Sequence, residues 1–163
     1  MAILGDSGKF SPEMIDMLMK QDLRLLFISE NDTKHIELRE QLGSVNTTAE
    51  IEFTSCEREG CWEADIITLG PEENFSTALI QKIKEVATQK IVLEISEMNN
   101  TTERSDLKEL LPYSKVIKIQ IDHAKQEFMV TGKDENALLE IRSIFEQAGY
   151  NYKNNKDAGK NMV

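Results

Sequence analysis

The stretch Ile3-Leu4-Gly5-Asp6-Ser7-Gly8-Lys9-Phe10-Ser11-Pro12 decides how the chain is read. An apolar run passes straight into a turn holding two glycines, and the turn passes into residues patterned for a helix. Glycines let a backbone turn sharply and let a ligand approach it with no Cβ in the way. N–H groups at the start of the next helix then face whatever rests on the turn, which suits the pyrophosphate of a dinucleotide. The spacing is G-x-x-G-x-x-S, with Ser11 standing where a third glycine would be. Ser11-Pro12 reads as an N-cap followed by the first helical residue, because proline lacks only an N–H that a first turn leaves unpaired anyway. The helix is therefore expected about one turn later than a tight pyrophosphate turn would have it.

Outward from this stretch, short β-rich runs alternate with longer helical patterns. Strands are expected at 2–4, 24–28, 50–53, 65–69, 89–95, 115–121, 127–131 and 150–152. Helical faces are expected from Met14, Met17 and Leu18, from Phe75, Leu79, Ile83 and Val86, and from Leu138, Ile141, Ile144 and Phe145. The last of these should end at Gly149, a natural C′ residue. Strand–helix alternation predicts a doubly wound α/β fold with a mostly parallel sheet, in which ligands gather beyond the carboxyl ends of the strands. Residues 1–153 are expected to form one domain, with 154–163 a flexible polar tail.

With 163 residues, 40% of them hydrophobic, the chain has enough apolar material for a real core. Its 29 Asp and Glu outnumber 19 Lys and Arg, for a formal charge of −10. Such a field repels polyanions, so nucleic acid is not an expected partner. No apolar window approaches the ~18 residues of a membrane span, and Met1 to Leu4 is too short for a signal peptide, so a cytoplasmic protein is expected. Cys56 and Cys61 in C-x4-C spacing match neither a paired zinc framework nor a C-x-x-C redox motif. His35 and His123 stand in no metal-binding pattern, and no metal is expected.

Across almost its whole length the chain resembles the Rossmann domain of deazaflavin-dependent NADP reductases and related NADP oxidoreductases. The resemblance is carried by Ala2 to Gly8, by Ala64-Asp65-Ile66-Ile67-Thr68-Leu69-Gly70-Pro71, by Lys90 to Glu94, and by Leu110-Leu111-Pro112-Tyr113-Ser114-Lys115-Val116-Ile117-Lys118. Phe128 to Asp134 and Ala148-Gly149-Tyr150 continue it in the same order. It implies a nicotinamide dinucleotide with Gly5, Ser7, Gly8, Lys9 and Phe10 on the pyrophosphate, Ser29 and Glu30 at the adenosine ribose, and Gly70, Pro71 and Ser96 at the nicotinamide. Where the family places an arginine for the 2′-phosphate of NADP, this chain has Glu30, which would repel that phosphate and could accept from free ribose hydroxyls; NAD is thereby favoured over NADP. The family's substrate segment shrinks to about seven residues, Ile119 to Lys125, and Glu97-Met98 replaces its Asn-Pro.

No catalytic residue is assigned by motif. Lys118 and His123 are candidate general acids, and Glu94 is a carboxylate embedded in an apolar run, expected to be partly buried. Asp65 reads as a residue of the turn before a strand, and Trp62 as a packing anchor. Two readings stand open. One is an NAD(P)-binding oxidoreductase passing hydride between the cofactor and a small or flavin-like acceptor; the other is a cofactor-free Rossmann-like module for binding or assembly. A homodimer is expected under both.

Overall fold

The computed structural model describes residues 1–4, 12–29, 32–42, 47–69, 77–98 and 107–154. Its strands are β1 (Ala2–Leu4), β2 (Arg24–Ile28), β3 (Glu50–Thr54), β4 (Ile66–Leu69), β5 (Ile91–Glu97), β6 (Lys115–Asp122), β7 (Glu127–Gly132) and β8 (Asn151–Tyr152). The helices are α1 (Pro12–Met19), α2 (Asp32–Leu42), α3 (Glu57–Glu63), α4 (Thr77–Ile83), α5 (Leu107–Leu110) and α6 (Glu135–Gln147). All the strands join one sheet in the order β3-β2-β1-β4-β5-β6-β7-β8. The pairs from β3 through to β6 are parallel, β7 runs antiparallel to β6, and β8 is parallel to β7. This is the doubly wound α/β architecture expected from the alternation.

Successive strand residues point to opposite faces, and each face has its own core. On one, Ile3, Leu25, Phe27, Leu93, Ile117 and Ile119 pack with Met14 and Leu18 of α1 and with Ile141 and Phe145 of α6. On the other, Ala2, Leu4, Ile28, Ile67, Leu69 and Val92 pack with Cys61 of α3, Ile80 and Ile83 of α4, and Leu107 of α5. Central strands buried on both faces read as continuous apolar runs, which is why β1, β4 and β5 were legible. β6 alternates buried isoleucines with more exposed Lys115, Lys118 and Gln120, because α6 covers only one of its faces.

The end of α6 follows the chain chemistry closely. Asp134 caps its start by accepting from the Ala137 N–H at 2.8 Å. At its end Gly149 takes φ +91°, and the Gly149 and Tyr150 N–H groups reach back to the Glu146 and Phe145 carbonyls. That bond pair is the Schellman motif, for which glycine is the residue with least strain.

Several expectations are corrected. β5 runs on to Glu97, so Ser96 and Glu97 lie inside the strand rather than after it. Of Ile119 to Lys125, aligned with the family's substrate segment, Ile119 to Asp122 belong to β6, as the strand expected at 115–121 required, because Ile119 and Ile121 fill the core. Trp62 is 70% exposed and anchors nothing; Gly60 and Cys61 are the buried residues of α3. Two helices, α2 and α5, went unread. Among the described side chains of α2 Leu38 is buried while Ile36 is exposed, so no apolar face marks it, and α5 is too short for periodicity to show.

Candidate functional site

The connection from β1 passes through α1 to β2 on one side, whereas β4 continues through α4 to β5 on the other. The chain thus diverges between the adjacent carboxyl ends of β1 and β4, the topological switch point at which such sheets bind ligands. Leu4 and Leu69 end these strands in register with each other. Gly5, Ser7, Gly8, Lys9 and Phe10, like Glu30, Gly70 and Pro71, lie outside the described residues. Their place in the chain is nonetheless bounded: Gly5 to Ser11 joins Leu4 to the start of α1 at Pro12, and Gly70 to Ser76 joins Leu69 to α4.

Of the predicted contacts, Ser29 and Ser96 are described. Ser29 follows β2, with its N–H donating to the Thr54 carbonyl at 3.2 Å. Ser96 is partly buried in β5, and its hydroxyl approaches the Ile119 carbonyl at 3.5 Å. With β1 and β4 between their strands, the two serines are three strand spacings apart, about 14 Å. They flank the switch point from either side.

Thr68, which sequence reading passed over, lies at the switch point itself. It is fully buried, pairs in register with Ile3, and is one residue from the end of β4. Alternation along β4 turns its side chain to the face that α1 covers, and its hydroxyl has no hydrogen-bond partner among the described residues. A buried unsatisfied hydroxyl costs about 1–3 kcal/mol. The signal in the sequence was a lone polar residue within Ile66-Ile67-Thr68-Leu69.

The candidate acids are not brought together. Glu94 is buried, as its apolar neighbours implied, with Leu69 and Lys118 as register partners on either side. Lys118 sits in the middle of β6, whereas His123 stands beyond its carboxyl end, five residues on, or about 16 Å. His123 instead meets Tyr150, its Nδ1 2.8 Å from the phenolic oxygen and the rings edge to face. The Met98 N–H donates to the Ile121 carbonyl at 3.1 Å, so the end of β5 lies against the end of β6 near this pair. Burial pushes the Tyr150 phenol up from its ordinary range, and the carboxylates Glu13 and Asp16 of α1 push it the same way. The phenol is thereby kept in its neutral form.

Cys56 is exposed and Cys61 buried, both as free thiols. Burial pushes the Cys61 thiol up to about 12, with Glu57 adding to the shift and Lys90 opposing it, so Cys61 is an inert packing group. Among the described residues no helix is long and apolar enough to cross a membrane.

No protein-family model matches the chain, and no curated protein does. Solved structures do. The chain has the Rossmann fold. It is similar to the pyrroline carboxylate reductase of Plasmodium falciparum, solved with NADP bound, at TM-score 0.62 and 15% identity over 96% of this chain and 58% of that one. A pyrroline-5-carboxylate reductase from Coxiella burnetii matches at TM-score 0.67 and 13% identity, over 96% of this chain and 59% of that one. A diketoreductase matches at 0.68 and 14%, over 93% of this chain and 62% of that one. The chain therefore spans about three-fifths of the length of these proteins, and at such identities the likeness is one of fold.

Proposed function

We propose that this Rossmann chain binds a nicotinamide dinucleotide across the carboxyl ends of β1 and β4 and serves an oxidoreductase reaction in the cytoplasm. The observation that carries the reading is the sheet order β3-β2-β1-β4-β5-β6 with the glycine-bearing stretch Gly5 to Ser11 joining β1 to α1 at the switch point. The residues fit the group. The buried Thr68 hydroxyl leaves a polar atom in register with Ile3, one residue short of the end of β1, and a group of the bound dinucleotide or of the chain that holds it would supply its partner.

In this reading Gly5, Ser7, Gly8, Lys9 and Phe10 hold the pyrophosphate, with the Lys9 ammonium neutralising part of its charge. Ser29 and Glu30 take the adenosine ribose; a carboxylate there accepts from two free hydroxyls and repels a 2′-phosphate, which selects NAD over NADP. Gly70, Pro71 and Ser96 bound the nicotinamide end. When bound, the nicotinamide supplies the hydride, and the chain's own work is to orient the ring and exclude water. No proton donor is obligatory when the acceptor is a flavin-like ring such as a deazaflavin. Residues 1–153 act as the cofactor domain, and a two-fold dimer completes the site.

Calorimetric titration with NADH and NADPH at low salt tests this. Saturable binding that favours NADH, abolished by Gly8→Val with the fold intact, is the expected result. A preference for NADPH would overturn the role of Glu30. No heat up to about millimolar ligand, roughly −4 kcal/mol of affinity, would leave the second reading, a cofactor-free module for binding or assembly. One observation favours that rival: α1 opens on Pro12, which has no N–H to offer a phosphate. Sedimentation tests the dimer in either case, and a monomer at every concentration would remove it.

A further inference from the structure

At the amino end of β6, a cleft of about 500 Å³ opens between α5, β6 and the turn from β7 into α6. Parallel pairing aligns the amino end of β6 with that of β5, Lys115 beside Ile91, so the cleft lies at the edge of the sheet opposite to the switch point. Its lining includes Lys108 from α5, Lys115 and Lys118 from β6, and Lys133 after β7, against a single carboxylate, Asp134. This concentration of cations stands out in a chain whose formal charge is −10.

Asp134 does little to neutralise Lys115. One Asp134 oxygen accepts from the Ala137 N–H at 2.8 Å as the cap of α6, and the other is 3.9 Å from the Lys115 ammonium, beyond hydrogen-bond length. Lys118 and Lys133 make no ion pair among the described residues and are exposed. The 13-residue α6 directs the positive end of its dipole toward the same place. Thr131 and Ser114 also line it, the Ser114 hydroxyl donating to the Ala87 carbonyl at 2.8 Å. Ammonium groups gathered in this way repel one another unless a multivalent anion bridges them, and lysine recognises phosphate as a point charge without needing the planar fork of arginine.

We infer that this cleft is a second binding site, which takes a small multivalent phosphate: a di- or triphosphate, free or as the end group of a phosphorylated small molecule. It is separate from the dinucleotide site and does not depend on it.

The test is calorimetric titration of the intact chain with inorganic pyrophosphate at low salt. Saturable binding that weakens steeply with added salt is expected. Lys118→Ala/Lys133→Ala should weaken it at least tenfold, whereas Lys84→Ala/Lys125→Ala, which removes the same charge elsewhere, should change it by less than twofold. Saturating NADH should leave it unchanged, because the dinucleotide covers the glycine turn and not this cleft. Replacing pyrophosphate by ADP reads whether a phosphorylated small molecule binds as well as the free anion, and either ranking identifies the source. Absence of binding, equal loss in both double variants, loss under saturating NADH, or citrate binding as tightly as pyrophosphate would each overturn the proposal. All four lysines are on the surface, so unchanged melting temperatures certify that the variants are folded.

Discussion

The imidazole of His123 and the phenol of Tyr150 share a 2.8 Å hydrogen bond that ties the β6–β7 turn to the segment between α6 and β8. Tyr150 is 8% exposed and also meets Phe145 edge to face. Its hydroxyl is therefore the polar tip of a side chain otherwise committed to the core.

Tyr150→Phe keeps the ring and deletes the tip. It should cost about 1 kcal/mol, the typical net worth of one hydrogen bond, measured from urea unfolding. Because the phenol is raised in the folded chain, mainly by burial, its contribution is present at neutral pH and is lost as pH rises from the ordinary tyrosine range through the raised one. Above that range the difference between variant and parent should shrink. The phenolate spectrum of the parent minus that of the variant should titrate later than a free tyrosine; an ordinary midpoint would refute the assignment.

Gly60 lets α3 sit directly on β2 and β3. A Cβ there would meet the Ile28 side chain, with Cγ1 at 2.9 Å, and Thr54 Cγ2 at 3.2 Å. Gly60→Ala gains about 1 kcal/mol of helix propensity against an overpacking cost of about 1–3 kcal/mol, so a net loss is expected. In an Ile28→Val background the far methyl is gone, and Gly60→Ala should cost measurably less. Additive effects in that double-mutant cycle would show that the contact is not what opposes the substitution.

The two thiols should separate cleanly. Cys56, exposed, should react with a thiol reagent under native conditions, whereas Cys61, buried and pushed up to about 12, should react only after unfolding. A folded value above the unfolded one gives stability that is full below about pH 8.5 and falls as pH rises toward 12. The alkaline loss of stability should accordingly be shallower in Cys61→Ala. Native labelling of both thiols would contradict the burial.

Lys90 secures the other end of α3. Its ammonium donates to the Cys61 carbonyl at 2.7 Å and to that of Trp62, placing a cation on the negative end of a helix. Lys90→Met keeps the aliphatic stem and should lose roughly 1 kcal/mol; Lys90→Arg should restore most of it. A neutral Lys90→Met, read by thermal melts, would mean that water replaces the ammonium at no cost.

The strands β1, β2, β4 and β5 could be read from sequence because a strand covered on both faces must be apolar almost throughout. Leu25 to Ile28 and Ile91 to Leu93 are such runs. The Gly149 cap was legible for a similar reason, since few residues other than glycine take φ +91° without strain. The expected phosphate turn after β1 lies outside the described residues.

What the tertiary structure alone decided is which distant residues meet. Trp62 looked like a core residue and is exposed, because on α3 the small Gly60 and Cys61 face the sheet and leave the indole outside. His123 and Tyr150 lie 27 residues apart, and no periodicity links them. The lysine cleft follows the same rule. Lys108 and Lys133 come to one side of β6 only because β7 folds back antiparallel, setting Thr131 opposite Lys118. Burial is written locally, in the alternation and length of apolar runs. Convergence of polar groups depends on strand order and direction, which no single stretch of this sequence contains.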